Sequence, residues 1–120
     1  NKLLKHRLRI NKFKLGTINY IFCSDNYLLK INQQYLNHDY FTDVITFDYT
    51  TKSLVSADIY ISTESVFNNS ITFEQSLSDE LVRVISHGFL HLIGYNDKKN
   101  DDKILMKEME DEMIRKFKVL

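Results

Sequence analysis

With 120 residues, of which 43% are hydrophobic and 27% charged, the chain has the composition of one ordinary globular domain and is too short for two. Its 16 basic and 16 acidic residues cancel, which removes the argument for nucleic acid that a strongly basic chain would make. A lone cysteine, Cys23, excludes an internal disulfide, and no apolar run approaches the roughly 18 residues of a membrane span. With no signal-peptide pattern either, the expectation is a reducing cytoplasm and no membrane.

The charge is unevenly spread. Lys2, Lys5, Arg7, Arg9, Lys12 and Lys14 all precede the first acid, Asp25. Such a run either neutralises phosphates or forms the solvated face of a helix, and both readings stay open. Leu3, Leu4, Leu8 and Ile10 among these bases predict a helix over residues 1–11. From Thr17 to Cys23 the β-branched and aromatic residues predict a strand. Ser24 or Asp25 then caps a helix from about Asn26 to Leu36, with Leu28, Ile31 and Tyr35 on one face.

Alternation predicts strands over Thr42–Tyr49 and Val55–Ser62, and the short link between them allows an antiparallel hairpin. A short helix follows from Ser62 or Thr63 to about Asn69. Ser76 or Ser78 caps the next, whose Asp79 and Glu80 suit the positive end of the helix dipole. Leu81, Val82, Ile85, Phe89 and Leu92 are its predicted buried stripe, down to about Ile93. Asp101 or Asp102 opens a last helix with Leu105, Met109, Met113 and Phe117 as its apolar face. Three strands, with a fourth lost or N-terminal, and four to five helices make a single α+β domain over residues 1–120, with a small mixed sheet.

The chemistry concentrates between Ser86 and Asp97. His87 and His91 stand four residues apart in an apolar run, which places both imidazoles on one helix face, one turn apart. Gly94 is placed to end that helix in a left-handed conformation, and Asp97 can then return a carboxylate to the same point. Two imidazoles and one carboxylate, with a position left for water, form the pattern of a catalytic zinc site at the C-terminal end of a central helix. Gly88 stands where zinc peptidases of the His-Glu-x-x-His type carry their glutamate base. Its mid-helix cost of about 1 kcal/mol implies close packing or a need for open space beside the metal. Asp43 and Asp58 either orient the imidazoles or cap strand ends.

The stretch resembles the signature of the YbeY family of bacterial ribosomal-RNA maturation endoribonucleases, His-Gly-x-Leu-His-Leu-x-Gly-Tyr-Asp-His. His87, Gly88, Leu90, His91, Leu92, Gly94 and Tyr95 match it, while Asn96 replaces an aspartate and Asp97 the third histidine. The likeness extends to Asn32, Tyr35, Thr42, Asp43, Val44 and Phe47, and to Ala57-Asp58 where the family has Gly-Asp, covering roughly residues 28–115. Leu36 stands where the family has an arginine implicated in RNA cleavage; Lys30 and His38 are the nearby candidates for that charge, and the sequence does not assign it to either.

The resemblance implies a zinc-dependent endoribonuclease acting on ribosomal RNA in small-subunit maturation and ribosome quality control. It would associate with ribosomal components and carry one zinc per chain on His87, His91 and Asp97, with Asp43 as a helping carboxylate. Two alternatives remain: a metal hydrolase of another class, such as a peptidase, or a non-catalytic ribosome-assembly factor with a structural metal.

Overall fold

In the computed structural model, residues 14–35, 42–52 and 54–118 are described. Their elements run β1 (Lys14–Cys23), α1 (Asp25–Tyr35), β2 (Val44–Asp48), β3 (Leu54–Ser62), α2 (Thr63–Thr72), α3 (Leu77–Leu92) and α4 (Asn100–Lys118). The architecture is the expected α+β one. β3 lies between its neighbours, parallel to β1 and antiparallel to β2, so the sheet is mixed and the hairpin forms. The helix predicted over residues 1–11 lies outside the described residues.

The period of two along β3 decides which side of the sheet carries what. Val55, Ala57, Ile59 and Ile61 are all fully buried on one face, where they meet Val66 of α2, Phe89 of α3 and Met113 of α4. Each large aliphatic side chain buried this way contributes about 1.5–3 kcal/mol. The opposite face presents Tyr60, packed with Ile45 and Phe47 of β2 against Leu28 and Ile31 of α1. Helices therefore cover both faces, α1 on one and α2–α4 on the other.

Helix boundaries follow their caps. The Ser62 hydroxyl accepts from the Ser65 N–H and starts α2, while Ser76, not Ser78, accepts from the Asp79 N–H and starts α3. Ser62 and Ser65 also donate to Asp25, and Glu64 accepts from the Asp25 N–H at 2.8 Å, which ties the N-termini of α1 and α2 together.

Three predicted faces shift. In α1 the buried residues are Leu28, Ile31 and Asn32, while Tyr35 is 65% exposed at the helix end. In α3 the deepest apolar positions are Val84, Phe89, Leu90 and Leu92; Leu81, Val82 and Ile85 are only half-buried. In α4 the buried stripe is Met106, Met109, Glu110 and Met113, and Leu105 and Phe117 turn to solvent. A stripe read from apolar residues alone is one position out of phase there, because a buried glutamate belongs to it.

Gly88 brings α3 onto the sheet. A Cβ at this position would meet Thr46 Oγ1 at 2.9 Å and Ile59 Cγ2 at 3.6 Å. Thr46 and Ile59 are paired residues of β2 and β3, so the missing side chain lets the helix backbone lie against the hairpin. Of the two explanations the sequence allowed for Gly88, close packing is the one realised.

Candidate metal centre

Helix α3 ends in hydrogen bonds that point the chain back toward its own last turn. The Gly94 N–H donates to His91 O and the Tyr95 N–H to Leu90 O. Gly94 has φ +103°, a conformation that L side chains rarely adopt, so glycine is required by the backbone. The reversal brings Asp97 beside the two histidines that sequence spacing placed on one face.

His91 Nε2 lies 3.1 Å from His87 Nε2, and Asp97 Oδ2 lies 3.3 Å from His87 Nε2 and 3.4 Å from His91 Nε2. Tetrahedral ligands bonded to zinc at about 2.0–2.1 Å stand about 3.3–3.4 Å from one another. The three atoms thus form one triangular face of such a tetrahedron, and two neutral imidazoles with one carboxylate are a fitting donor set. His87, His91 and Asp97 can hold a metal ion.

What fixes the first histidine comes from α4. Glu110, 5% exposed, places Oε2 at 2.6 Å from His87 Nδ1. With the Nδ1 proton donated to that carboxylate, the Nε2 lone pair faces the other two ligand atoms. Glu110 Oε1 lies 3.5 Å from Arg83 Nη1, and Arg83 in turn is gripped by Glu80, with Nε at 2.9 and 3.1 Å from its two oxygens. Glu80 is fully buried, so its role is to anchor Arg83 rather than merely to favour the helix dipole. Glu80, Arg83 and His87 lie on one side of α3 at three- and four-residue spacings, and with Glu110 they form a chain of paired acids and bases in which the two glutamates are buried.

The expected second carboxylates divide. Asp43 accepts from Asn69 Nδ2 at 3.3 Å and faces Arg83 at 3.7 Å, so it reaches the centre through Arg83 and through its charge. Asp58 does not orient the imidazoles. From β3 it pairs with Phe47 of β2, accepts from Asn19 Nδ2 at 3.0 Å, and sits on the α1 side of the sheet. Strand alternation puts it on the wrong face, and the orienting carboxylate is Glu110. Sequence reasoning missed Glu110 and Arg83; the usable signal was a glutamate in phase with Met106, Met109 and Met113.

Burial works against charge on the His87 imidazole, but the Glu110 hydrogen bond and the charges of Glu110, Asp97 and Asp43 outweigh it and raise its pKa above the ordinary histidine value. In the metal-free protein this contributes stability that is fully present below the unfolded value of about 6.5 and is lost as pH rises through the folded value. A metal ion competes with that same proton. The increase in melting temperature on adding metal is therefore expected to be larger at pH 8 than at pH 6, and equal increments would show that His87 is not a ligand.

The centre opens into a cavity of about 570 Å³ whose lining includes His87, Asp97, Arg83 and Glu110, Phe73 and Gln75, and Lys103 and Lys107 of α4. Among the described residues no helix is long and apolar enough to cross a membrane.

Fold and centre together define a small α+β protein whose central helix and the coil after it bring together three residues that can hold a metal ion. The family model described as endoribonuclease YbeY matches residues 1–118, and the chain belongs to that family. It is 55% identical over 104 residues to the endoribonuclease YbeY of Flavobacterium psychrophilum, covering 87% of this chain and 74% of that protein. The endoribonuclease YbeY of Karelsulcia muelleri is 50% identical over 101 residues, covering 84% and 71%. A solution structure of a Thermotoga maritima protein superposes with a TM-score of 0.64 at 26% identity, over 94% of this chain and 75% of that one.

Proposed function

We propose that the protein is a zinc-dependent endoribonuclease, with one zinc per chain, that acts in the cytoplasm on ribosomal RNA in small-subunit maturation and ribosome quality control, in association with ribosomal components. The observation that carries the reading is the triangle of His87, His91 and Asp97 at the mouth of a cavity, in a chain of the YbeY family. A divalent cation held there acidifies water and withdraws charge from a phosphoryl oxygen. The chain's own residues do the rest. Glu110 keeps the His87 ring in the tautomer that leaves Nε2 free. Arg83 holds Glu110 in place, and Asp43 helps to hold Arg83 while adding negative charge near His87.

A peptidase fits less well. Position 88, where the glutamate base would stand, is a glycine, and a Cβ there would come within 2.9 Å of Thr46 Oγ1.

The test is cleavage of purified small-subunit ribosomal RNA precursor by the wild-type protein, stripped with a chelator and then reloaded with zinc, manganese or magnesium. Endonucleolytic products that disappear on stripping and return with zinc support the reading. Absence of products with every metal, from protein shown to be folded and loaded, overturns it.

A further inference from the structure

The cavity beside the metal centre has a second half that metal ligation does not use. Phe73 presents an aromatic ring that is 56% exposed at the turn between α2 and α3. This turn is not loosely held. Glu74 adopts φ +53°, unusual for a residue with a side chain, and the N–H groups of Phe73, Glu74 and Gln75 donate to Asn69, Ile71 and Ser70. These bonds hold the turn that carries Phe73 and Gln75, and both residues line the cavity together with Lys103 and Lys107.

The cations in the cavity are not equivalent. Arg83 is committed to Glu80 and Glu110, and Lys107 shares its charge with Asp111 at 3.4 Å. Lys103 forms no ion pair with a described residue. The cavity therefore offers an exposed aromatic side chain, one side-chain amide and an ammonium with no ion pair among the described residues, beside a candidate cation site. That is the chemistry that grips a nucleotide: stacking for the base, hydrogen bonding for its edge, charge for a phosphate.

We infer that this half of the cavity is a nucleotide subsite, with the base of a residue flanking the cut stacked on Phe73 near Gln75, and its phosphate on Lys103 with Lys107 in support. The inference rests on the endoribonuclease reading. It assigns Phe73 and Lys103 to substrate binding and leaves the reacting bond to the metal centre.

Binding and cleavage are to be measured separately. Chelator-stripped protein is titrated into a fluorescently labelled, unstructured RNA oligonucleotide over a range of salt concentrations. Phe73→Ala is expected to weaken binding about tenfold, and Phe73→Tyr to restore it. Lys103→Ala is expected to flatten the slope of log affinity against log salt by about 0.7, the contribution of one phosphate on a single strand. In the loaded enzyme Phe73→Ala is expected to raise KM by more than it lowers kcat. If wild type cleaves RNA while Phe73→Ala and Lys103→Ala bind and cleave as it does, the subsite is wrong and the nuclease reading stands. If loaded wild type does not cleave RNA at all, the nuclease reading falls and takes the subsite with it.

Discussion

His91→Ala is expected to fold normally, to lose its metal and to lose RNA cleavage with it. The His91 side chain is one-third exposed, and its polar partners are the other two ligand residues, so its removal empties no core position and leaves no buried charge unpaired. Its effect falls on the ion. If about 10 kcal/mol of apparent zinc affinity is shared over three protein ligands, one imidazole accounts for about 3 kcal/mol, or more than a hundredfold in the dissociation constant. Elemental mass spectrometry on gel-filtered protein checks this, with circular dichroism confirming the fold. Wild type should carry about one metal per chain and the variant almost none. Full metal retention in a folded His91→Ala variant would remove the triangle as the binding site.

Glu110→Ala should damage both stability and the centre, through one buried carboxylate that serves two partners. Its loss leaves Arg83 without one of its acids and His87 Nδ1 without its acceptor, in a region where Glu80 is already fully buried. Breaking a buried charged pair costs about 3–5 kcal/mol, and removing the group that orients a ligand histidine costs about 10–100-fold in metal affinity. Glu110→Gln separates the two effects. Its carbonyl can still accept from Nδ1, so the ring keeps its orientation while the charge facing Arg83 is gone. Urea unfolding of the metal-free variants and zinc competition titrations of both are the measurements. The glutamine variant should retain affinity better than the alanine variant; equal losses would mean that His87 is held by its charge environment and not by this hydrogen bond.

Much of this centre was legible before any coordinates. His87 and His91 are tied by helical spacing, and Gly94 marks where the chain must reverse, so Asp97 follows from local geometry. The same holds for β2 and β3, whose alternation and short connection specify an antiparallel pair. What escaped was non-local. Glu110 lies 23 residues from His87, and its phase on α4 is visible only if a charged residue is allowed in a buried stripe. Asp58 was open as an orienting group because a strand read alone does not say which face meets the histidine helix. That choice is made by Ile59 and Gly88, whose contact puts the odd-numbered residues of β3 toward α3 and turns Asp58 away. Apolar character alone predicts Tyr35, Leu105 and Phe117 inward, yet all three are exposed, as a large share of any folded surface is apolar.

The three ligand groups are not held alike. Both imidazoles ride on α3, while Asp97 sits in the coil between Gly94 and Asn100. An ion held here would draw two ligands from one rigid helix and the third from the segment that follows it. Conformational freedom that this segment gave up on binding would subtract from affinity. A substitution that loosened the connecting coil would therefore lower affinity while His87 and His91 remain as they are.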